Sequence, residues 1–388
     1  MTDSFRIYCL PRPSTLYARL HARLRPADIP AQDVHEILEH YGLSLAGPPR
    51  NLPVGRRNRN LDLDTTGGRK LLKGYRPNWQ ADTVDYTHSI LARLAETGFP
   101  ASRLSPAPDG STYVDLRGDY FTLFEFDEGM NYSGRFLVRA HRRKLMILAG
   151  EMMARLHRQL KGFMPAGRHH MGFSDYTGPR WRDVEWHRRK LEEFKTRSIE
   201  TKQPEPGSDS AWLVENSGRI GDEIARLDAV LGDADLPRLI IHGDYGLHNL
   251  LFRADGSVVI VDFELARIEW RLSDLVSCLS RFRYGELGDI SYDYESIGWF
   301  LEGYQQVLPL SVDEWRFFPQ VWAFYRYQSA VQYWNSYYAT NGPERKLHSA
   351  RDAVAQAEYA LSHADELASL NAGASPARVS GIRARSGA

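Results

Sequence analysis

Three side chains in one short stretch have the types and spacing to do chemistry together: Asp244, Asn249 and Asp262. Leu239, Ile240 and Ile241 form an apolar run that stops at His242-Gly243-Asp244, and Asn249 follows Asp244 by five residues. Leu250-Leu251-Phe252 and Val258 to Val261 flank Ala254-Asp255-Gly256, whose Asp-Gly pair is a hairpin signal. Folding that hairpin puts Asn249 opposite Val261 or Asp262, and opposed side chains in such a pair lie ~5 Å apart at Cβ. An amide oxygen and a carboxylate at that spacing can share one Mg²⁺, a hard cation that takes oxygen ligands and keeps several waters. A carboxylate at Asp244 could accept the proton of an attacking hydroxyl, worth ~10²- to 10⁴-fold in rate. Each residue alone is explained as a loop cap or a strand-end carboxylate; all three at these offsets are not. A metal-dependent hydrolase built on His242 and Asp244 would need a second histidine cluster at ligand spacing, and none follows.

The interval of five from aspartate to asparagine is the one protein kinases use in their catalytic loop, and Asp262 mirrors their metal-binding aspartate. His242-Gly243-Asp244, Asn249 and Asp262-Phe263-Glu264 resemble the catalytic loop and metal site of the aminoglycoside phosphotransferase and choline kinase superfamily. Glycine at 243 and glutamate at 264 stand where eukaryotic protein kinases have arginine and glycine, and no Ala-Pro-Glu signature follows Asp262. Ala154-Arg155-Leu156-His157 is similar to that family's helix ending Leu-Ala-x-Leu-His, and Asp274 matches an aspartate that braces the catalytic loop in relatives. The likeness runs from about Leu52 to Tyr338, and the small lobe is most similar to spore-coat kinase-like and type II homoserine kinase-like members.

The resemblance implies an α+β, bilobal protein-kinase-like fold that clamps Mg-ATP. Asp244 is then the catalytic base, Asn249 and Asp262 hold Mg²⁺, and the γ-phosphoryl group passes to a hydroxyl of a small acceptor. Amino alcohols (homoserine, choline, ethanolamine), amino sugars and aminoglycosides all fit. It also makes Lys73, in Leu72-Lys73, the residue that grips the α- and β-phosphates, with Lys70 as a rival. Val54-Gly55-Arg56-Arg57-Asn58 would cover the phosphates, and adenine would meet backbone groups near Glu125 and Asp127. Kinases pair the strand lysine with a glutamate on the next helix. Here that helix offers Thr87 or His88, with Asp85 one turn earlier, and this departure favours the alternative of a catalytically impaired nucleotide-binding homologue with a structural or regulatory role.

The acceptor pocket belongs to the large lobe. Glu286, Asp289, Asp293 and Glu295 could contact amines, or form a solvated helix start with carboxylates near its positive end. The eleven aromatics of Trp315 to Tyr338 could box a quaternary ammonium, although Phe318, Trp322 and Tyr325 recur at the helical spacing of core packing. Adjacent His169 and His170 read as loop residues rather than metal ligands, and Arg139, Arg142, Arg143 and Lys144 as a solvated helix face.

These residues need elements to position them. Pro11, Pro13, Pro26 and Pro30 mark an irregular arm, and a helix is predicted over Gln32 to Tyr41, stopped by Gly42. Short strands follow from Leu52: Leu61 and Leu63 alternate with Asp62 and Asp64, a turn covers Thr65 to Gly68, and an extended run resumes at Lys70. Asp82 to Glu96 has helical spacing, and Thr112 to Leu116 and Tyr120 to Phe126 read as two more strands. Helices are predicted over Phe136 to Leu160 (Leu145, Leu148, Met152 and Leu156 on one face), Trp181 to Arg197 and Ser210 to Leu231, with more to about Leu370. The expected organisation is an arm and helix over 1–46, a small nucleotide-clamping lobe over 47–128, a large lobe over 129–372 and an unstructured tail over 373–388.

Composition agrees. A chain of 388 residues at ~150 per domain allows two or three lobes. Forty-nine basic residues balance forty-nine acidic ones, so no global field favours nucleic acid or an anionic membrane. Cys9 and Cys278 cannot build a disulfide framework or a cysteine zinc site, and no run of eighteen apolar residues occurs, so a cytoplasmic protein is expected.

Overall fold

The computed structural model describes residues 29–52, 58–76, 79–133, 137–201, 204–285, 287, 289–339 and 343–370. The predicted arm up to residue 28, Gly55 with its neighbours Arg56 and Arg57, Phe136, Glu286 and the tail lie outside the described residues. In chain order, α1 (Ala31–His40) precedes β1 (Arg50–Asn51), β2 (Arg59–Thr65), β3 (Gly68–Gly74), α2 (Ala81–Glu96), β4 (Val114–Leu116) and β5 (Asp119–Glu125). Then come α3 (Arg139–Leu160), α4 (Val184–Thr201), α5 (Asp209–Gly232), β6 (Arg238–Ile241), β7 (Leu250–Phe252), β8 (Val258–Ile260) and β9 (Arg267–Trp270). The series ends with α6 (Arg271–Leu279), β10 (Arg283–Tyr284), β11 (Ser291–Tyr292), α7 (Tyr294–Val307), α8 (Val312–Ala339), α9 (Arg345–Ser362) and α10 (Ala364–Ser369).

The chain divides into two compact units. One takes the chain up to Arg139 together with Met164–His169 and Leu247–Glu264; the other takes Ala140–Phe163, His170–Gly246 and the chain from Leu265 onward. The first unit thus includes residues 129–139, 164–169 and 247–264, whereas the sequence reading closed the small lobe at 128.

In the first unit the strands form one antiparallel sheet in the order β1-β2-β3-β5-β4. Strand side chains alternate between faces. Leu61, Leu63, Leu72, Phe121 and Leu123 therefore share one face and bury it against Val34, Ile37, Leu38 and Tyr41 of α1. Gly42 ends α1 at φ 65°, a backbone conformation suited to glycine. The helix that the sequence set apart with the arm supplies core to this sheet. Lys73 follows Leu72 on β3, and its neighbour in register on β5 is Thr122. Thr122 hydroxyl and His88 Nε2 of α2 are 3.3 Å apart, so α2 covers the face opposite α1.

The hairpin β7–β8 is stitched into the same unit. Ser102 N–H donates to Ile260 O at 3.1 Å and Ile260 N–H to Pro100 O at 3.0 Å. On the other strand, Met130 and Phe252 exchange backbone bonds at 2.8 and 3.0 Å.

The second unit is mostly helical, with β6 and β9 paired antiparallel. α3 and α7 approach closely at two glycines: a Cβ on Gly150 would lie 2.0 Å from Phe300 O, and one on Gly303 would lie 1.9 Å from Ile147 O. Of the four residues expected on the buried face of α3, Met152 and Leu156 are buried. Met146, Ala149, Met153, His157 and Leu160 are buried, while Leu145 and Leu148 are only half-buried. In α8, Phe318, Trp322 and Trp334 are fully buried core, and half-buried Tyr325 reaches Ser277 through its hydroxyl at 2.7 Å. Among the described residues, no helix is long and apolar enough to cross a membrane.

Candidate active site

The first unit builds a cluster around Lys73. Its Nζ lies 2.9 Å from Asp262 Oδ1 and also pairs with Glu264 Oε1. Both Lys73 and Glu264 are buried, whereas 42% of the Asp262 side chain is exposed. Asn58 Nδ2 donates to the same Glu264 oxygen, and Arg76 stands 3.6 Å from the other. Burial by itself would lower the Lys73 pKa, but the charges of Asp262 and Glu264 outweigh it and hold the ammonium above its usual range. Lys73 therefore stays charged.

The helix after β3 contributes no carboxylate here. His88 bonds with Tyr75 (2.9 Å) and Thr112 (2.7 Å), and burial, then the Lys73 charge, push it down to about 3, so it is neutral at pH 7. Asp85 is engaged with Tyr113. Among the described residues, the carboxylates within ion-pair distance of Lys73 are Asp262 and Glu264. The rival Lys70 pairs with Glu125 at 2.5 Å, directly across β3–β5.

Asp262 and Asn249 sit at the open end of the hairpin. Leu250 is in register with Ile260, and Val261 N–H donates to Asn249 O at 3.0 Å, so the chain brings Asn249 beside Val261 and Asp262 as the hairpin geometry predicts. Asp262 adopts φ 67°, a left-handed conformation that costs a non-glycine residue ~1–2 kcal/mol. Asn131 fixes the approach to Asn249: its Nδ2 donates to Leu247 O (2.9 Å) and His248 O (2.8 Å). One amide and one carboxylate suit a magnesium ion that arrives with substrate phosphates and keeps its waters. Among the described residues there is no group of three or more His, Cys, Asp or Glu that could hold a metal. His169 is buried, with Nε2 3.2 Å from Glu264 O.

Of the residues expected beside adenine, Glu125 donates its N–H to Arg103 O at 2.9 Å, so that group is already engaged within the protein. Asp127 accepts from Arg253 at 3.0 Å, and burial raises its pKa.

The second unit holds Asp244. Beyond β6 the chain turns through Gly243 at φ 78°, where a Cβ would lie 2.1 Å from Leu265 O, so no other residue fits. Asp274 braces the turn: its two oxygens accept from His242 N–H and Gly243 N–H at 2.8 Å each, and His157 Nε2 is 3.1 Å away. Full burial would raise the Asp274 pKa, but the hydrogen bonds from His157 and His242 hold it below its ordinary value. His157 is fixed in turn by Tyr304 hydroxyl at 2.8 Å, and Tyr245 hydroxyl donates to Ala149 O at 2.7 Å. Asp244 itself is paired with Arg281.

Sequence reasoning singled out Lys73, Asp244, Asn249, Asp262 and Asp274, placed Asn58 in the phosphate-covering segment without its Glu264 partner, missed Glu264 as a lysine partner, and missed Asn131 and Arg281 altogether. Glu264 had a readable signal, a charge two residues beyond Asp262. The other three meet their partners only through tertiary folding.

Comparison with known proteins decides the family. The family model described as "Phosphotransferase enzyme family" matches residues 50–310, more than half of the chain. This chain belongs to that family. It is a small-molecule kinase, a phosphotransferase with an alcohol group as acceptor, and its α+β protein-kinase-like fold is the one its motifs predicted. It is similar to a homoserine kinase of Caulobacter vibrioides (strain NA1000 / CB15N), 28% identical over 286 residues that cover 73% of this chain and 80% of the relative. Among solved structures it is similar to a microcompartment-associated aminopropanol kinase (TM-score 0.61, 17% identity, 86% of this chain and 98% of that one). A spectinomycin phosphotransferase in complex with ADP and spectinomycin has the same fold (TM-score 0.57, 16% identity, 86% and 99%).

Proposed function

We propose that the protein transfers the γ-phosphoryl group of ATP to the hydroxyl of a small metabolite, an amino alcohol, amino sugar or aminoglycoside-like compound. The observation that carries this reading is the buried Lys73 held charged against Asp262 and Glu264. Phosphoryl transfer asks for placement and charge rather than covalent help from the protein. Lys73 grips the α- and β-phosphates. Asn249 and Asp262 would hold Mg²⁺, which would supply positive charge to the phosphates being transferred. Asp244 orients the acceptor hydroxyl and takes its proton as the new O–P bond forms and the bond to the ADP oxygen breaks. Asp274 presents Asp244 by fixing the turn before it.

Glu264 supports activity over the impaired alternative. The missing helix glutamate was the feature that favoured an inactive homologue, and Glu264 fills the same electrostatic role from the loop.

Two variants test the assignment. Asp244→Asn should lower the transfer rate by at least ~10²-fold while Mg-dependent ADP binding, read by calorimetry, stays near wild type. Asp262→Ala should lose metal-dependent nucleotide binding. Unchanged turnover in Asp244→Asn would remove Asp244 from its role.

A further inference from the structure

Arg281 occupies an unexpected place. Its guanidinium bonds the Asp244 carboxylate, and its Nε donates to Ser277 O at 3.3 Å, in the last turn of α6, where unpaired carbonyls favour a cation. Ser277 is anchored through its hydroxyl to Tyr325, so the guanidinium is held from below. The pair is open to solvent, with 42% of the Arg281 side chain and 32% of the Asp244 side chain exposed. A carboxylate bonded to a guanidinium is a poorer partner for a hydroxyl than one released from it, because its charge is already neutralised. Binding an acceptor hydroxyl at Asp244 therefore competes with this ion pair, and a released guanidinium needs an anion in exchange.

The neighbouring acidic stretch points the same way. Asp293 accepts from Ser296 N–H at the start of α7 and from Arg142 at 3.1 Å. Glu295 pairs with the same Arg142 at 3.0 Å. Both carboxylates are engaged by Arg142 inside the unit, and Arg142 is an ion-pair residue rather than part of a solvated face. A polycationic acceptor offers the guanidinium displaced from Asp244 no anion in exchange.

We propose that Arg281 selects the acceptor by receiving a carboxylate on the hydroxylated substrate, and that this exchange frees Asp244 for the hydroxyl. The preferred acceptor is then a hydroxy acid or hydroxy amino acid rather than a simple amino alcohol or an aminoglycoside. A planar guanidinium matches a carboxylate through two parallel hydrogen bonds, which an ammonium cannot reproduce. The inference rests on Asp244 being the base of the kinase reading above.

The test is steady-state kinetics of the full chain with Mg-ATP and two acceptors that differ by the carboxylate alone, L-homoserine and 3-aminopropan-1-ol. Wild type should favour homoserine in kcat/KM by at least ~10²-fold, the cost of leaving a charge partner unpaired. In Arg281→Gln that preference should collapse to within about tenfold, and Arg281→Lys should recover part of it. Parallel losses for both acceptors would reduce Arg281 to a residue that only positions Asp244, and a wild-type preference for 3-aminopropan-1-ol would overturn the proposal. Calorimetric titration of homoserine and 4-hydroxybutyrate into the MgADP complex separates the two readings. If neither carboxylate binds, the role of Arg281 falls; if they bind through Arg281 but no phosphoryl transfer occurs, the kinase reading falls instead.

Discussion

At the scale of single residues, the cluster around Lys73 makes a discriminating prediction. Glu264→Gln should raise the KM for Mg-ATP by ~10- to 100-fold, the worth of a hydrogen bond to a charged group, while Asp85→Asn leaves it within about threefold. Equal effects in steady-state assays would mean that the helix carboxylate, not Glu264, steadies the lysine. His88 provides a pH signature. Its folded-state value of about 3 lies far below the ordinary 6.5, so between these values the unfolded chain binds a proton that the folded chain refuses. Its contribution is flat above about pH 6.5, and stability is lost as pH falls towards 3, at up to ~1.4 kcal/mol per pH unit. Urea midpoints of wild type and His88→Gln between about pH 7 and pH 4.5 should therefore converge as pH falls; parallel curves would contradict the assignment. Lys73 and Asp244 could be singled out in the sequence because each sits in a short motif, and the structure pairs Lys73 with Asp262 and braces the turn before Asp244. Arg281 was not, because nothing local marks which arginine of Arg281-Phe282-Arg283 meets a carboxylate thirty-seven residues upstream.

At the scale of elements, the α3–α7 crossing depends on two glycines. An alanine in an isolated helix would be favoured over glycine by ~1 kcal/mol. Here Gly150→Ala and Gly303→Ala each push a methyl group into the opposing backbone, at 2.0 and 1.9 Å from a carbonyl oxygen. Each should cost about 2–3 kcal/mol, seen as a lowered thermal midpoint, and a stabilised variant would show that the helices separate easily. The hairpin register was readable from Asp255-Gly256 and the flanking apolar runs, and β7–β8 pairs as that signal predicts. The face of α3 was half readable: Met152 and Leu156 are buried as the periodicity predicts. Leu145 and Leu148 share that periodicity yet are only half-buried, because helix contact there follows the small residues where backbones can approach, and Gly150 has no side chain to announce it.

At the scale of the whole molecule, the lobes anticipated from composition shifts along the chain differ from the compact units of the structure, because sequence order cannot reveal which distant strand completes a sheet neighbourhood. The hairpin of residues 250–260 joins the first unit through bonds to Pro100, Ser102 and Met130. Amide hydrogen exchange should show those hairpin amides protected as one block with β3 and β5. Leu94→Ala, which empties a buried site in α2, should lower their protection more than that of α8. Equal loss in both would indicate one cooperative body.

Because three separate stretches of chain assemble that unit, no continuous gene fragment encodes it. A polypeptide ending at Arg139 would keep the five strands of the sheet yet strand Lys73 without either acidic neighbour, a buried charge left uncompensated. Isolating the first unit for separate study therefore calls for splicing residues 164–169 and 247–264 back onto it through engineered connections, and shortening the gene alone should yield a less stable product.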